Sequence, residues 1–296
     1  MASALDRLLE GLVDYAGLFP PAALAMPDAV RRYAAYRAAT HRALLARFVV
    51  PVARLDEFVA AARGAGQSPA AGPWPLAVLA AVPDAPTLDA FRAAHGARWR
   101  IDTVEAKASD TATIAALADA IGSRYTTYVE IPVHDDPSAL VAELAARGLR
   151  AKLRTGGVSA DAFPTPTEVA RFLDACQRLG VAFKATAGLH HPLRGEYALT
   201  YDAASARGTM YGFLNVFLAA VLLYAGHDVG VVAPLLEERD ATAIAITPEA
   251  IIWRGLRADA AVIAAARERF AGSFGSCSFE EPVQDLAALT LLPPPR

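Results

Sequence analysis

Short apolar runs recur along the chain, each separated from the next by a longer segment with helical spacing. Arg47–Val52, Pro75–Val82, Trp99–Lys107, Tyr125–Pro132, Arg150–Thr155 and Val181–Thr186 read as strands. Asp28–Leu45, Arg54–Arg63, Thr87–Ala94, Thr111–Ile121, Pro137–Arg147 and Thr167–Leu179 read as the intervening helices. Asp136-Pro137 and Thr165-Pro166-Thr167-Glu168 mark helix starts, and Gly148 and Gly180 mark helix ends. Strands of this length alternating with helices mean βαβ units and a parallel sheet. Leu12–Phe19 before these strands and Ala243–Ile246 after them raise the count to eight, the number of an α/β (β/α)8 TIM barrel. No Gly-x-Gly-x-x-Gly follows the first strand, which argues against a dinucleotide-binding sheet.

The C-terminal third is less regular and predicts an extended, partly helical region appended to the barrel. Arg194–Gly208 reads as a long polar loop. Ala243–Trp253 could equally be a hairpin turning at Thr247-Pro248-Glu249. Gly272–Ser278 reads as a Gly/Ser connector, or as an anion nest ahead of the amphipathic helix Glu281–Leu289. Met210–Gly226 is apolar nearly all round but falls short of the ~20 residues a spanning helix needs. It also carries Asn215, so a buried helix is expected and a membrane span is not. With no linker or repeat in view, residues 1–296 are expected to form a single barrel domain.

Composition narrows the class. The chain is 54% hydrophobic and 20% charged, enough to bury a core without disulfides or metals. A net charge of −3 gives no basic surface for nucleic acid or membrane. The two cysteines, Cys176 and Cys277, lie far apart and fit a reduced, cytoplasmic setting. The N-terminus lacks the apolar run of a signal peptide. A small anionic metabolite is the expected partner, and a homo-oligomer is compatible with the sequence.

The candidate chemistry follows from strand parity. Side chains alternate across a strand, and the apolar set must cover the helices. Lys184 and Thr186 then point inward on one strand, Lys152 and Arg154 on the strand before, Tyr128 and Glu130 before that, and Thr103, Glu105 and Lys107 one strand earlier. Lysine is almost never fully buried unless it is paired or used. Ligands in parallel α/β proteins sit at the C-terminal ends of strands, which makes this end the candidate active site. The bland alternative is mutually satisfied filler, such as Glu130 with Lys152. Desolvation cancels much of the attraction in such pairs, so several of them are better explained by function. His190-His191, after Gly188, add imidazoles that titrate near neutrality. Arg207 and Tyr211 lie on and after the polar loop, where a lid would contact substrate. Asp14 to Pro21 reads as a substrate-facing loop or as a rigid turn with apolar plugs.

Two motifs carry a family resemblance. Lys152-x-x-Thr155-Gly156 resembles the Lys-x-x-Thr-Gly on strand six of deoxyribose-phosphate aldolases, which are Schiff-base barrels. Lys184-Ala185-Thr186-x-Gly188 resembles that family's Lys-Ala-Ser-x-Gly on strand seven, and Asp102-x-Val104 its Asp-x-Val on strand four. The resemblance implies that Lys152 forms the imine, that Lys184 lowers its pKa, and that Asp102 transfers protons. Arg154, His190-His191, Glu105 and Lys107 depart from the family pattern, and Arg154 would bind a carboxylate or phosphate. By simple alternation Asp102 falls on the opposite face from Glu105 and Lys107, so one reading of that strand requires a bulge.

The reading that results is a barrel enzyme acting on a small anionic carbonyl compound by lyase or aldolase-type chemistry, without cofactor or metal. Lys152, Lys184, Asp102, Glu130 and His190 are the expected catalytic groups. Arg154, Thr155, Thr186, Glu105, Lys107, His191, Arg207 and Tyr211 are the expected binding groups. A metal-assisted lyase or isomerase at the same mouth is the rival, using His190-His191 with Glu130 or Glu105. A non-catalytic barrel binding a metabolite or a protein is the rival from another class.

Overall fold

The computed structural model describes residues 2–65 and 72–294 of the chain. After α1 (Ala4–Leu9), seven parallel strands alternate with helices: β1 (Val13–Tyr15), α2 (Met26–Ala38), β2 (Leu45–Pro51), α3 (Leu55–Gly64), β3 (Trp74–Leu79), α4 (Ala85–His95), β4 (Trp99–Lys107), α5 (Thr111–Leu117), β5 (Thr126–Glu130), α6 (Ser138–Ala146), β6 (Arg150–Arg154), α7 (Pro166–Arg178) and β7 (Phe183–Thr186). The chain then leaves the barrel through the hairpin β8 (Gly195–Ala198) and β9 (Arg207–Met210), α8 (Phe213–Tyr224) and the short α9 (Val229–Val232). An antiparallel sheet of β10 (Ile244–Ile246), β11 (Ala250–Trp253) and β12 (Leu256–Asp259) follows, then α10 (Ala260–Arg269). The chain returns through β13 (Ala271–Ser276) and ends in α11 (Glu280–Ala288). β13 pairs in parallel with both β7 and β1 and closes an eight-stranded (β/α)8 barrel.

The closing strand corrects the sequence reading. Ala243–Ile246 has the β-branched character of a strand, but it pairs antiparallel with β11 outside the barrel. The Gly/Ser-rich run read as a connector takes the eighth position instead. Arg194–Gly208, read as a polar loop, contains most of the β8–β9 hairpin.

Local signals set the elements around the mouth. Thr165 and Glu168 form a reciprocal capping box at the start of α7, with Pro166 in its first turn. Gly180 ends the segment at φ 66°, a left-handed conformation that costs a residue with a Cβ. β7 then shows the expected parity: Phe183 packs outward against Phe172, Phe217 and Phe270, while Lys184 points into the barrel. α8 is buried along almost its whole length, its Asn215 amide donating to the Leu235 and Glu238 carbonyls. Among the described residues no helix is long and apolar enough to cross a membrane.

Candidate active site

Register places the charged groups in one row. Lys107 lies opposite Glu130, Glu130 opposite Lys152, and Lys152 opposite Lys184, across β4 to β7. Partners in a parallel ladder present their side chains to the same face, so all four look inward or up toward the barrel mouth. Lys152 and Lys184 are 4% and 1% exposed, a burial that demands compensation.

Compensation comes as an alternating ladder of charge through the barrel. Lys152 Nζ lies 2.8 Å from Glu105 and 3.2 Å from Glu130. Lys184 donates to Glu105 and, at 2.5 Å, to Asp14. Below them Arg47 contacts Asp14 at 3.4 Å and donates at 2.6 Å to Asp102. Above them Arg154 Nε donates to Glu130 Oε1 at 2.9 Å, and Lys107 approaches the same oxygen at 3.5 Å. Ser273 Oγ donates a further 2.5 Å hydrogen bond to Asp14.

The shifts follow from these contacts. Burial raises the Glu105 carboxyl, but Lys152 and Lys184 outweigh it and hold the group at about 2. Asp14 and Glu130 are likewise lowered by their cations against the opposing effect of burial. Burial pulls the Lys184 ammonium down, while Asp14 and Glu105 more than restore it, so its pKa is raised. Lys184 is therefore a fixed cation whose charge is already met by two carboxylates. It presents less charge to Lys152 than a bare ammonium would.

Lys152 and Glu130 open onto a cavity of about 370 Å³ at the C-terminal end of the strands, and Lys184 lies beneath its floor. The loop after β1 contributes Phe19, Pro20 and Pro21, so the Asp14–Pro21 string does face the site. The hairpin after β7 roofs it with Leu199 and Met210. Thr186 lines the wall, while Thr155 is spent on the Ala187 carbonyl at 2.5 Å and so holds the two lysine-bearing loops together. Gly188 sits at φ 70°, and a Cβ there would lie 2.8 Å from the Phe163 ring and 3.0 Å from the Gly156 Cα. Gly188→Ala should cost about 1–3 kcal/mol in urea unfolding through that strain. An unchanged unfolding midpoint would show that the loop has room to relax.

The adjacent histidines separate as alternation demands. His190 lines the cavity and is oriented by a 2.8 Å contact from Nδ1 to Glu281, which also accepts from Tyr201 at 2.9 Å. Its other nitrogen makes no hydrogen bond among the described residues. His191 instead stacks on Tyr197 at 3.5 Å and contacts Asp285 at 2.5 Å, holding the hairpin to α11. His190→Gln should lower kcat/KM by about a hundredfold, in the range of a lost proton-transfer group. His191→Gln should change it by less than about threefold, since the stack on Tyr197 and the contact to Asp285 that it loses hold the hairpin, and neither partner lines the cavity. Two silent replacements in an active enzyme would return both to scaffolding.

Other expected residues lie elsewhere. Asp102 sits at the break in register between β3 and β4, the bulge its inward position needs, but its partners are Arg47 and Arg100. It belongs to the lower rung of the ladder and makes no contact with Lys152. Tyr211 is buried with its hydroxyl on the Pro164 carbonyl at 2.7 Å. Arg207 borders a small side cavity with His191 and is bound to the Glu196 carbonyl. Asp14, Arg47 and Glu281 are site residues that the sequence reading did not assign. Among the described residues no group of three or more His, Cys, Asp or Glu side chains is arranged to hold a metal ion. The sequence matches no model of a known protein family and no curated protein.

Proposed function

We propose that the protein is a lyase or aldolase-type enzyme that forms an imine between Lys152 and a small anionic carbonyl compound. The observation that carries this reading is a lysine amine on the floor of an otherwise largely apolar cavity, with two carboxylates within 3.2 Å. The Lys152 ammonium must give up a proton before it can add, and Glu130, whose Oε2 lies 3.2 Å from Nζ, is the group placed to relay it. The freed amine adds to the carbonyl carbon. The resulting hydroxyl leaves as water, taking a proton from Glu130 or His190. The iminium then accepts the electron pair released when an adjacent C–C or C–H bond breaks.

The likeness of Lys152-x-x-Thr155-Gly156 to the Schiff-base motif of deoxyribose-phosphate aldolases supports the same assignment. The role that likeness gives Asp102 passes here to Glu130 and His190, which line the cavity. The test is borohydride reduction in the presence of short keto acids and hydroxyaldehydes, read by intact mass and peptide mapping. An adduct on Lys152 is expected. An adduct confined to Lys107, Lys184 or the N-terminal amine, or none with any carbonyl compound, sinks the proposal.

A further inference from the structure

We propose that a second chamber, between the loops after β4, β5 and β6, binds an oxyanion at the far end of the substrate. The substrate would then be bifunctional, its carbonyl meeting Lys152 and its carboxylate or phosphate meeting Lys107 and Arg154. This rests on the reading of Lys152 as the carbonyl site. The chamber encloses about 440 Å³ and shares Lys107, Glu130 and Arg154 with the main cavity. Ser109 and His134, the latter with Nδ1 on Glu168 at 3.0 Å, add polar groups to its wall.

The charge ladder supplies the argument. Below the mouth Asp14 and Glu105 are each shared between two cations, and Lys152 and Lys184 each between two carboxylates. At the top that alternation breaks. The single carboxylate of Glu130 faces Lys152, Arg154 and Lys107 together. The last two have no other carboxylate partner among the described residues, so the ladder ends with surplus positive charge.

Both cations are also free to take a ligand. Arg154 uses Nε on Glu130 and Nη1 on the Gly156 carbonyl at 3.4 Å, and makes no other hydrogen bond among the described residues. Lys107 has only its 3.5 Å ion pair, and its side chain is 68% exposed. An oxyanion beside these two would supply the missing negative rung. It would stand one carboxylate width from the amine of Lys152, across Glu130. A guanidinium edge and an ammonium converging on one point is the arrangement that recognises carboxylate and phosphate.

The experiment is calorimetric titration of the intact protein with inorganic phosphate and, separately, with malonate. No carbonyl compound is present, so the outcome is independent of whether Lys152 forms an imine. At least one anion should bind at a single saturable site, and the one that does identifies the terminal group. Lys107→Gln and Arg154→Gln should each weaken that binding about tenfold or more. Ser109→Trp, which fills the chamber, should abolish it. Lys107→Gln and Ser109→Trp alter exposed positions, so they decide the question even if Arg154→Gln misfolds. Failure of both anions to bind, or binding undiminished in Lys107→Gln and Ser109→Trp, overturns the proposal.

Discussion

Lys152→Arg should remove the borohydride-trapped adduct and lower turnover on the order of a thousandfold or more. A guanidinium remains charged at any working pH and cannot add to a carbonyl. It does keep the positive charge that Glu105 and Glu130 require, both of which lie within 3.2 Å of the native amine. The fold and its thermal midpoint should therefore stay close to wild type, which separates loss of chemistry from loss of structure. Lys152→Met is the contrasting variant. It removes nucleophile and charge together, leaving Glu130 to its mouth cations and Glu105 to Lys184. It should lose activity equally and stability besides. Appreciable turnover in Lys152→Arg would rule out an imine at this position. Lys184 would not be a ready substitute, because its ammonium is held between Asp14 and Glu105 below the cavity floor.

The row of charge across β4 to β7 was legible because those strands keep their register with one another beyond the break in β4. In β7 the outward residues, Phe183 and Ala185, are apolar, so Lys184 could only point inward. β13 was not legible for the opposite reason. Its sequence, AGSFGS, has no β-branched residue, and its strand identity comes from pairing with β1 and β7. The small residues are what that position requires: a Cβ on Gly272 would lie 2.9 Å from the Phe183 carbonyl and 3.0 Å from the Tyr128 hydroxyl. Ala243–Ile246 has the better strand propensity, but it forms the hairpin with Ala250–Trp253 that was the alternative reading of that segment. Asp14 was hidden in an otherwise apolar strand of only three residues, too short to establish parity. Glu281 orients His190 from 91 positions away, a contact that no local pattern encodes. Asp102 shows the limit of alternation itself, since the register break beside it shifts which residues face inward.

Lys184→Met should cost about 3–5 kcal/mol at pH 7, the range for breaking a buried ion cluster by removing one partner. Asp14 and Glu105 are both essentially inaccessible to water, and each loses its contact to this ammonium. Glu105 keeps Lys152 at 2.8 Å while Asp14 keeps Arg47 at 3.4 Å, so Asp14 is left with the weaker remaining cation. The pH dependence tests the cause. In the wild type Glu105 is held at about 2 against an ordinary 4.5. A carboxyl lowered on folding contributes stability that is complete above its unfolded pKa and is lost as pH falls through its folded one. Asp14 and Glu130 are shifted in the same direction, so wild-type stability should decline as pH falls from about 4.5 toward 2. In Lys184→Met the two carboxyls lose the cation that held them down, and burial then favours their neutral forms. Mild acid should relieve the variant while it erodes the wild type, so the stability gap measured by urea unfolding at pH 7 should narrow by pH 4. A gap that stays constant with pH would mean the loss is one of packing and not of charge. Adding Asp14→Asn and Glu105→Gln to Lys184→Met should recover much of the loss, because no buried charge is then left without its partner. Recovery of stability without recovery of turnover would show that the ladder beneath the cavity serves the reactivity of Lys152 as well as the fold.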